Sequence, residues 1–451
     1  PMNYHRIFRT YFLYKLIFKY VRCIHAYILH RSYTVYNAEN IPTGKPFIMV
    51  ANHQHGILDA LALLFMIKDG RYPVFMARAD VFKNKYVAQL LVFFRLLPAF
   101  RMQDVGKNRV LENEKVFATT AQLLAQHNGI LALFPEGGHQ ERKQLGKLKK
   151  GFARIAFQTA SCANFETEIF VLPVGIHHIG GLFQSKVSVC VGKPISVLTF
   201  QELYMHEPEK AQQQLLEQTA RAMSSNMLDI KETTYYNEYL VLCTIARIYR
   251  KNNAAIQERY ATDLAIEQAV VSRVELLKVH QETTYVELMK LTKNMDELIV
   301  SLHLSYELVC EQKHSIAKRG MHVFITILLI PIQIYAFVHQ IIPFLLTSVC
   351  SRNAGDELLK VSLQLALGAL FIFPLWNGFL VFILFLLEVP FSWLVCYGIS
   401  LLFSIWVFFR SVSAWSFCQA WCRRQLVRLT NRSAIKEIEG ILKNIFSIIG
   451  V

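Results

Sequence analysis

The chain has 451 residues, of which 53% are hydrophobic and 18% charged, and its mean hydropathy is +0.29. That balance excludes a disordered protein and argues against a wholly soluble one. Lys and Arg together number 48 against 33 acids, a formal charge of +15; anionic partners are therefore needed, and so apolar a chain favours an anionic lipid surface over nucleic acid.

Residues 1–40 carry Arg6, Arg9, Lys15, Lys19, Arg22 and Arg31 with no acid before Glu39. Leu13, Leu16, Ile17, Tyr20, Val21, Ile24, Tyr27 and Ile28 recur at helical spacing, with Lys15, Lys19 and Arg22 on the other side. The pattern predicts a basic amphipathic helix lying in a membrane interface, with packing on the following domain as the alternative. Charge interrupts it too often for a membrane span, and no small-residue cleavage site marks a signal peptide.

Over residues 41–200, short apolar runs alternate with amphipathic stretches. Phe47–Val50, Pro73–Met76, Ile130–Phe134, Ile169–Ile176 and Val187–Val191 read as strands. Ile57–Ile67, Val81–Phe94, Val110–Ala125 and Leu148–Thr159 read as helices. This alternation predicts an α/β domain with a mostly parallel sheet, whose ligand sites gather at the carboxyl ends of the strands.

Residues 201–320 turn almost wholly helical, with Tyr285, Leu288, Met295, Leu298 and Leu302 at helical spacing among charges, and read as a helical connector or subdomain. The apolar mass lies in 321–410. Met321–Val349 is uncharged but holds Pro331 and Pro343, Val361–Leu387 is uncharged with Pro374, and Val389–Phe409 follows Glu388 and Pro390. Runs of this length exceed the about 20 residues needed to cross a bilayer core, so C-terminal transmembrane helices are expected. Lys313, Lys318 and Arg319 precede the region, and Arg410, Arg423, Arg424, Arg428 and Arg432 follow it. Basic flanks on both sides imply an even number of crossings, which makes the proline-broken first run the expected exception. Glu388 reads as an interfacial turn, and 411–451 as a basic helical tail. The nine cysteines are scattered, odd in number and without zinc-like pairing, which suggests a reducing compartment.

Chemistry concentrates in Ala51-Asn52-His53-Gln54-His55-Gly56-Ile57-Leu58-Asp59, where the first predicted strand meets the next helix. A carboxylate beside a histidine fixes its tautomer and stabilises the imidazolium formed when the ring takes a hydroxyl proton. His53 in the loop can fold back onto Asp59, whereas His55 would meet it on one helix face. His53 is favoured because the loop faces the strand ends. Three further segments follow strands: Leu97-Pro98-Ala99-Phe100-Arg101, Phe134-Pro135-Glu136-Gly137-Gly138-His139 and Val171-Leu172-Pro173-Val174-Gly175. Arginine suits phosphate recognition, and glycines let backbone amides approach an anion.

In this order and spacing the four segments resemble the glycerolipid acyltransferases typified by bacterial 1-acylglycerol-3-phosphate acyltransferase, over roughly Pro46 to Val197. The resemblance implies that His53 and Asp59 activate an acceptor hydroxyl. It places Arg101, Glu136, Gly137 and Gly138 at the acceptor phosphate, and Pro173, Val174 and Gly175 along the acyl or acceptor pocket. Two features depart from the family pattern. Five residues rather than four separate His53 from Asp59, and Gly138, His139 and Gln140 stand where the family often has threonine, arginine and serine. Among the cations that follow, Lys149 and Arg154 are the expected replacements for the missing arginine.

The activity implied is transfer of a fatty acyl group to a glycerol hydroxyl of a phosphate-bearing lipid precursor, most simply lysophosphatidate to phosphatidate, in phospholipid biosynthesis. Glycerol-3-phosphate or another lipid alcohol is the alternative acceptor. No bound cofactor or metal is expected; acyl-CoA or an acyl carrier protein thioester is the co-substrate. The expected location is the bacterial inner membrane, with the catalytic domain on the cytoplasmic face against anionic headgroups. Two other classes compete: a metal hydrolase using His53, His55, Asp59 and His177 or His178, which lacks a recognised metal spacing, and a non-enzymatic membrane scaffold.

Overall fold

The structure, a computed structural model, describes residues 7, 11–99, 110–138, 142–180, 185–310, 316–352 and 357–450. Its chain divides into two compact units. One comprises Pro1–Met227 with Pro343–Leu375, the other Leu228–Ile342 with Trp376–Val451.

The first unit opens with α1 (Phe12–Ile24), a π-helical turn at His25–Leu29 and β1 (His30–Tyr36). Then come β2 (Phe47–Ala51), α2 (Ile57–Met66), β3 (Val74–Arg78), α3 (Lys85–Phe93), β4 (Leu96–Ala99), α4 (Val110–His127), β5 (Ile130–Leu133) and α5 (Gly151–Cys162). After these follow β6 (Phe170–Ile179), β7 (Ser185–Val191), β8 (Ile195–Ser196), α6 (Gln201–His206) and α7 (Pro208–Ser225). Among the described residues the strands form one sheet in the order β1-β7-β6-β2-β5-β3-β4, with β8 beside β6. Only the β6–β7 and β6–β8 pairings are antiparallel, as the βαβ alternation requires.

β2 runs through the middle of this sheet, and all five of its residues are buried. Phe47, Met49 and Ala51 face one core with Ala62, Leu63 and Met66 of α2. Ile48 and Val50 face another with Phe152, Ile155 and Ala156 of α5. Helices thus cover both faces, which is why the strand reads as an unbroken apolar run. The next strands go to opposite sides of β2, β5 and β3 on one and β6 on the other, so its carboxyl end opens at a topological switch point.

Residues 1–40 are not helical throughout: β1 joins the edge of the sheet by pairing in parallel with β7. α1 also packs on its own unit. Tyr14 is buried, meeting Tyr72 and Phe93 edge-on, and Phe18 meets Phe65 and Tyr72. Leu13 and Leu16, each 55% exposed, remain uncovered on the same helix. The expected helix Val81–Phe94 is a short 3-10 turn and then α3, because Asn84 accepts hydrogen bonds from the Tyr86 and Val87 amides and starts a new helix. α6 and α7 belong to this first unit, so the change from sheet to helix at Thr199 does not end it.

The second unit holds α8 (Tyr236–Asn252), α9 (Ala254–Arg259), α10 (Asp263–His280), α11 (Glu282–Ser301) and α12 (Tyr306–Val309). The apolar region follows as α13 (Ile316–Leu328), α14 (Ile330–Cys350), α15 (Glu357–Leu367), α16 (Phe373–Leu386) and α17 (Phe391–Thr430), and the chain ends in α18 (Arg432–Ile449). Among the described residues, three stretches are long and apolar enough to cross a bilayer: Ile330–Cys350, Lys360–Leu386 and Phe391–Thr430. The first predicted run is indeed broken, at Leu329 before Pro331. Glu388 lies in the turn before α17 at φ +57°. Within the second unit, the buried Gln340 donates from Nε2 to Asn377 at 3.0 Å and to Ser404 at 2.7 Å, which pairs its amide nitrogen inside an apolar setting.

Candidate active site

Beyond Ala51 the chain leaves β2, and Asn52 fixes how it leaves. The buried Asn52 side chain donates to the Ile176 carbonyl at 2.9 Å and accepts from the Ile176 amide at 2.7 Å, so it continues the ladder to β6. Gly56 then turns the chain into α2 at φ +55°, ψ −124°, a conformation that side chains strongly oppose. At the start of α2, the Ile57 amide donates to Ser362 Oγ of α15 at 3.1 Å.

This turn brings His53 back onto Asp59. His53 Nδ1 donates to Asp59 Oδ2 at 3.0 Å, and the Gln54 and His55 amides donate to the same oxygen at 2.7 Å each. The His53 ring stacks on Phe134, with centroids 3.9 Å apart and planes 11° from parallel. Its side chain is 16% exposed while that of Asp59 is 1% exposed, so the ring reaches solvent and the acid does not. Nδ1 carries the proton given to Asp59, which leaves Nε2 to take one from a hydroxyl.

The second oxygen, Oδ1, accepts from His178 Nε2 at 2.8 Å. Burial alone would raise the Asp59 pKa, but hydrogen bonds from His178 and His53 together hold it well below the carboxylate range. Burial pushes His55 down to about 4, against the opposing pull of Asp59. His55 therefore lends its backbone amide to Asp59 and stays a neutral ring beside His178, with centroids 4.1 Å apart. In the sequence His178 stands only as a possible ligand of the rival metal site, not as a partner of the His53–Asp59 pair. Its partner lies 119 residues away, and only the pairing of β6 with β2 brings the two together.

The other expected site residues divide. Glu136 is buried and its Oε2 accepts from the Gly146 amide at 3.2 Å, a bond that ties two parts of the loop after β5 together. Gly137 adopts φ +74° with the Lys149 stem beside it, and Gly138 faces open space. Lys149 and Arg154 are exposed at the start of α5. Because α5 follows β5, that helix start lies at the carboxyl edge of the sheet, as does the His53 loop. Arg101, like His139 and Gln140, lies outside the described residues. Pro173, Val174 and Gly175 are buried within β6, and a Cβ on Gly175 would lie 1.8 Å from the Asn226 carbonyl oxygen. The absence of a side chain at Gly175 thus admits a backbone packed against it.

Residues 32–177 match the family model for acyltransferases, about a third of the chain, and span the His53–Asp59 pair and the segments that follow it. This segment is an acyltransferase domain of the glycerolipid and lysophosphatidate acyltransferase family. No curated protein sequence matches the chain significantly. The acyltransferase domain has one group able to hold a metal ion: ligand atoms of His55, Asp59 and His178 lie within 4.8 Å of one another among the described residues. Both Asp59 oxygens already accept hydrogen bonds, so an ion would have to displace a histidine donor. His177 is buried on β6 next to His178 but points to the other face of the sheet.

Proposed function

We propose that the acyltransferase domain transfers a fatty acyl group from a thioester, acyl-CoA or acyl carrier protein, to the free glycerol hydroxyl of lysophosphatidate. The observation that carries this reading is the 3.0 Å bond from His53 Nδ1 to a buried Asp59, on a ring that still reaches solvent. The acceptor hydroxyl gives its proton to His53 Nε2 as its oxygen attacks the thioester carbon. Asp59 stabilises the imidazolium, and backbone amides or nearby cations stabilise the tetrahedral oxyanion. The C–S bond then breaks, the thiolate leaves, and the imidazolium returns the proton to it. A thiolate leaves readily, so no serine or cysteine nucleophile is needed.

The acceptor phosphate is assigned to the carboxyl edge of the sheet, where Lys149 and Arg154 add positive charge to the start of α5; Arg101 joins them only through the family resemblance. Three bilayer-length apolar helices in the same chain suit lipid substrates. Moving a lysolipid out of the bilayer costs about 0.8 kcal/mol per exposed methylene, a cost that a site at the membrane interface avoids. The exposed Leu13 and Leu16, with Lys15, Lys19 and Arg22 on α1, would hold the domain against anionic headgroups. We place the domain on the cytoplasmic face of the bacterial inner membrane, in phospholipid biosynthesis.

The test is acyl transfer by the purified full-length protein, with palmitoyl-CoA or palmitoyl-acyl carrier protein as donor. The acceptors are lysophosphatidate, glycerol-3-phosphate and a neutral monoacylglycerol. Lysophosphatidate is expected to be acylated and His53→Ala to lose about 10²–10⁴-fold in rate. Preference for glycerol-3-phosphate or the neutral alcohol would replace the acceptor, and a fully active His53→Ala would remove the mechanism.

A further inference from the structure

We propose that His178 is a positioning residue of this site, holding Asp59 and through it setting the orientation and basicity of His53. The proposal rests on the acyl-transfer reading above and extends its catalytic pair to a chain of three side chains.

His178 is the penultimate residue of β6, and its side chain is 2% exposed against 1% for Asp59. An ionised carboxylate only accepts, so the 2.8 Å contact with Asp59 Oδ1 requires the proton on His178 Nε2. His178 Nδ1 is buried with no hydrogen-bond partner. A second proton there would sit in the interior without an acceptor, which selects the neutral ring. His178 is therefore a neutral donor that shares the carboxylate with His53 rather than a counter-ion that cancels it.

Sharing has a chemical consequence. With both oxygens engaged by ring donors, Asp59 cannot rotate, and its pull on His53 is divided. Without His178, Oδ1 stays buried and unpaired, the negative charge falls more fully on His53, and that ring becomes more basic. The groups facing His178 are His30 from β1, with centroids 6.4 Å away, His55 at 4.1 Å, Lys143, whose Nζ reaches the His178 carbonyl at 3.4 Å, and the electrostatically coupled His25. Burial holds His25 at about 3 and both His30 and His55 at about 4, so these rings stay uncharged near neutral pH.

The experiment measures kcat and KM against pH for the full-length protein in lipid nanodiscs, with palmitoyl-CoA and 1-oleoyl-lysophosphatidate. Wild type is compared with His178→Ala, His178→Gln and His53→Ala. His178→Ala is expected to lower kcat about 10–100-fold with little change in KM and to move the acidic limb upward by about one pH unit. His178→Gln, whose amide can donate to Oδ1, is expected to restore most of both. An active wild type with an inactive His53→Ala but an unaltered His178→Ala overturns the positioning role alone. So does equal impairment of both His178 variants with an unshifted limb, or a His178→Gln that does not fold, since each would mean that only the ring's bulk matters. An inactive wild type, or a fully active His53→Ala, overturns this proposal together with the reading beneath it.

Discussion

Asn52 and Ile176 exchange two hydrogen bonds, side chain to backbone, at the point where β2 gives way to the His53 loop. The pair is a strand register continued by a side chain, and it anchors the residue just before His53. Asn52→Ala would leave a buried amide and a buried carbonyl of Ile176 unpaired, at about 1–3 kcal/mol each. A lower urea midpoint is expected, together with a fall in acyl transfer larger than the lost stability explains. An unchanged midpoint would show that the loop is held elsewhere.

Gly175 and Gly138 make a matched pair of tests. A methyl group on Gly175 would lie 1.8 Å from the Asn226 carbonyl oxygen, a backbone atom that cannot swing away. Gly175→Ala should cost more than about 4 kcal/mol, enough to prevent recovery of folded protein. A Cβ on Gly138 meets nothing within 4 Å, so Gly138→Ala should fold like wild type. Size-exclusion profiles and thermal melts of the two variants would check this, and a well-folded Gly175→Ala would overturn it.

Acid stability follows from two buried rings. Burial first, with the positive charge of Arg22 added to it, pushes His25 down to about 3. Burial pushes His30 down to about 4. Their ordinary value is 6.5, so between pH 6.5 and about 4 the unfolded chain binds protons that the folded chain refuses. Stability is therefore full above pH 6.5 and lost as pH falls, by up to about 1.4 kcal/mol per pH unit for each ring. Denaturation midpoints between pH 7 and 5 should show this slope, and His25→Phe should reduce it. An equal slope in that variant would exclude the His25 contribution.

How far the sequence predicts this molecule depends on the range of the interactions. β2, β5 and β6 are legible because burial on both faces makes them continuous apolar runs. β1 is hidden because an edge strand, here His30-Arg31-Ser32-Tyr33-Thr34-Val35-Tyr36, keeps its polar residues. His53 and Asp59 are legible because six positions along one turn bring them together. Asn52 and His178 are not, since their partners lie 124 and 119 residues away and meet only when β6 pairs with β2. Gly175 marks a close approach, but the sequence does not say whether a ligand or a backbone approaches it.

Metal dependence separates the acyl-transfer site from a hydrolytic one built on the same side chains. His55, Asp59 and His178 have suitable ligand types within 4.8 Å, but Asp59 Oδ1 is committed to His178 at 2.8 Å and Oδ2 to His53 and two backbone amides. An ion binding here must first break a donor that orients the acid, so it competes with the proposed mechanism. Dialysis of the purified protein against EDTA is expected to change acyl transfer less than about 2-fold, since general-base catalysis draws on the ring and the carboxylate alone. Added zinc at high concentration should inhibit, because it would take the lone pairs on which the hydrogen-bonded chain depends. Loss of activity on chelation, with recovery on adding zinc back, would instead make these three residues a metal centre and end the case for His53 as a metal-independent base.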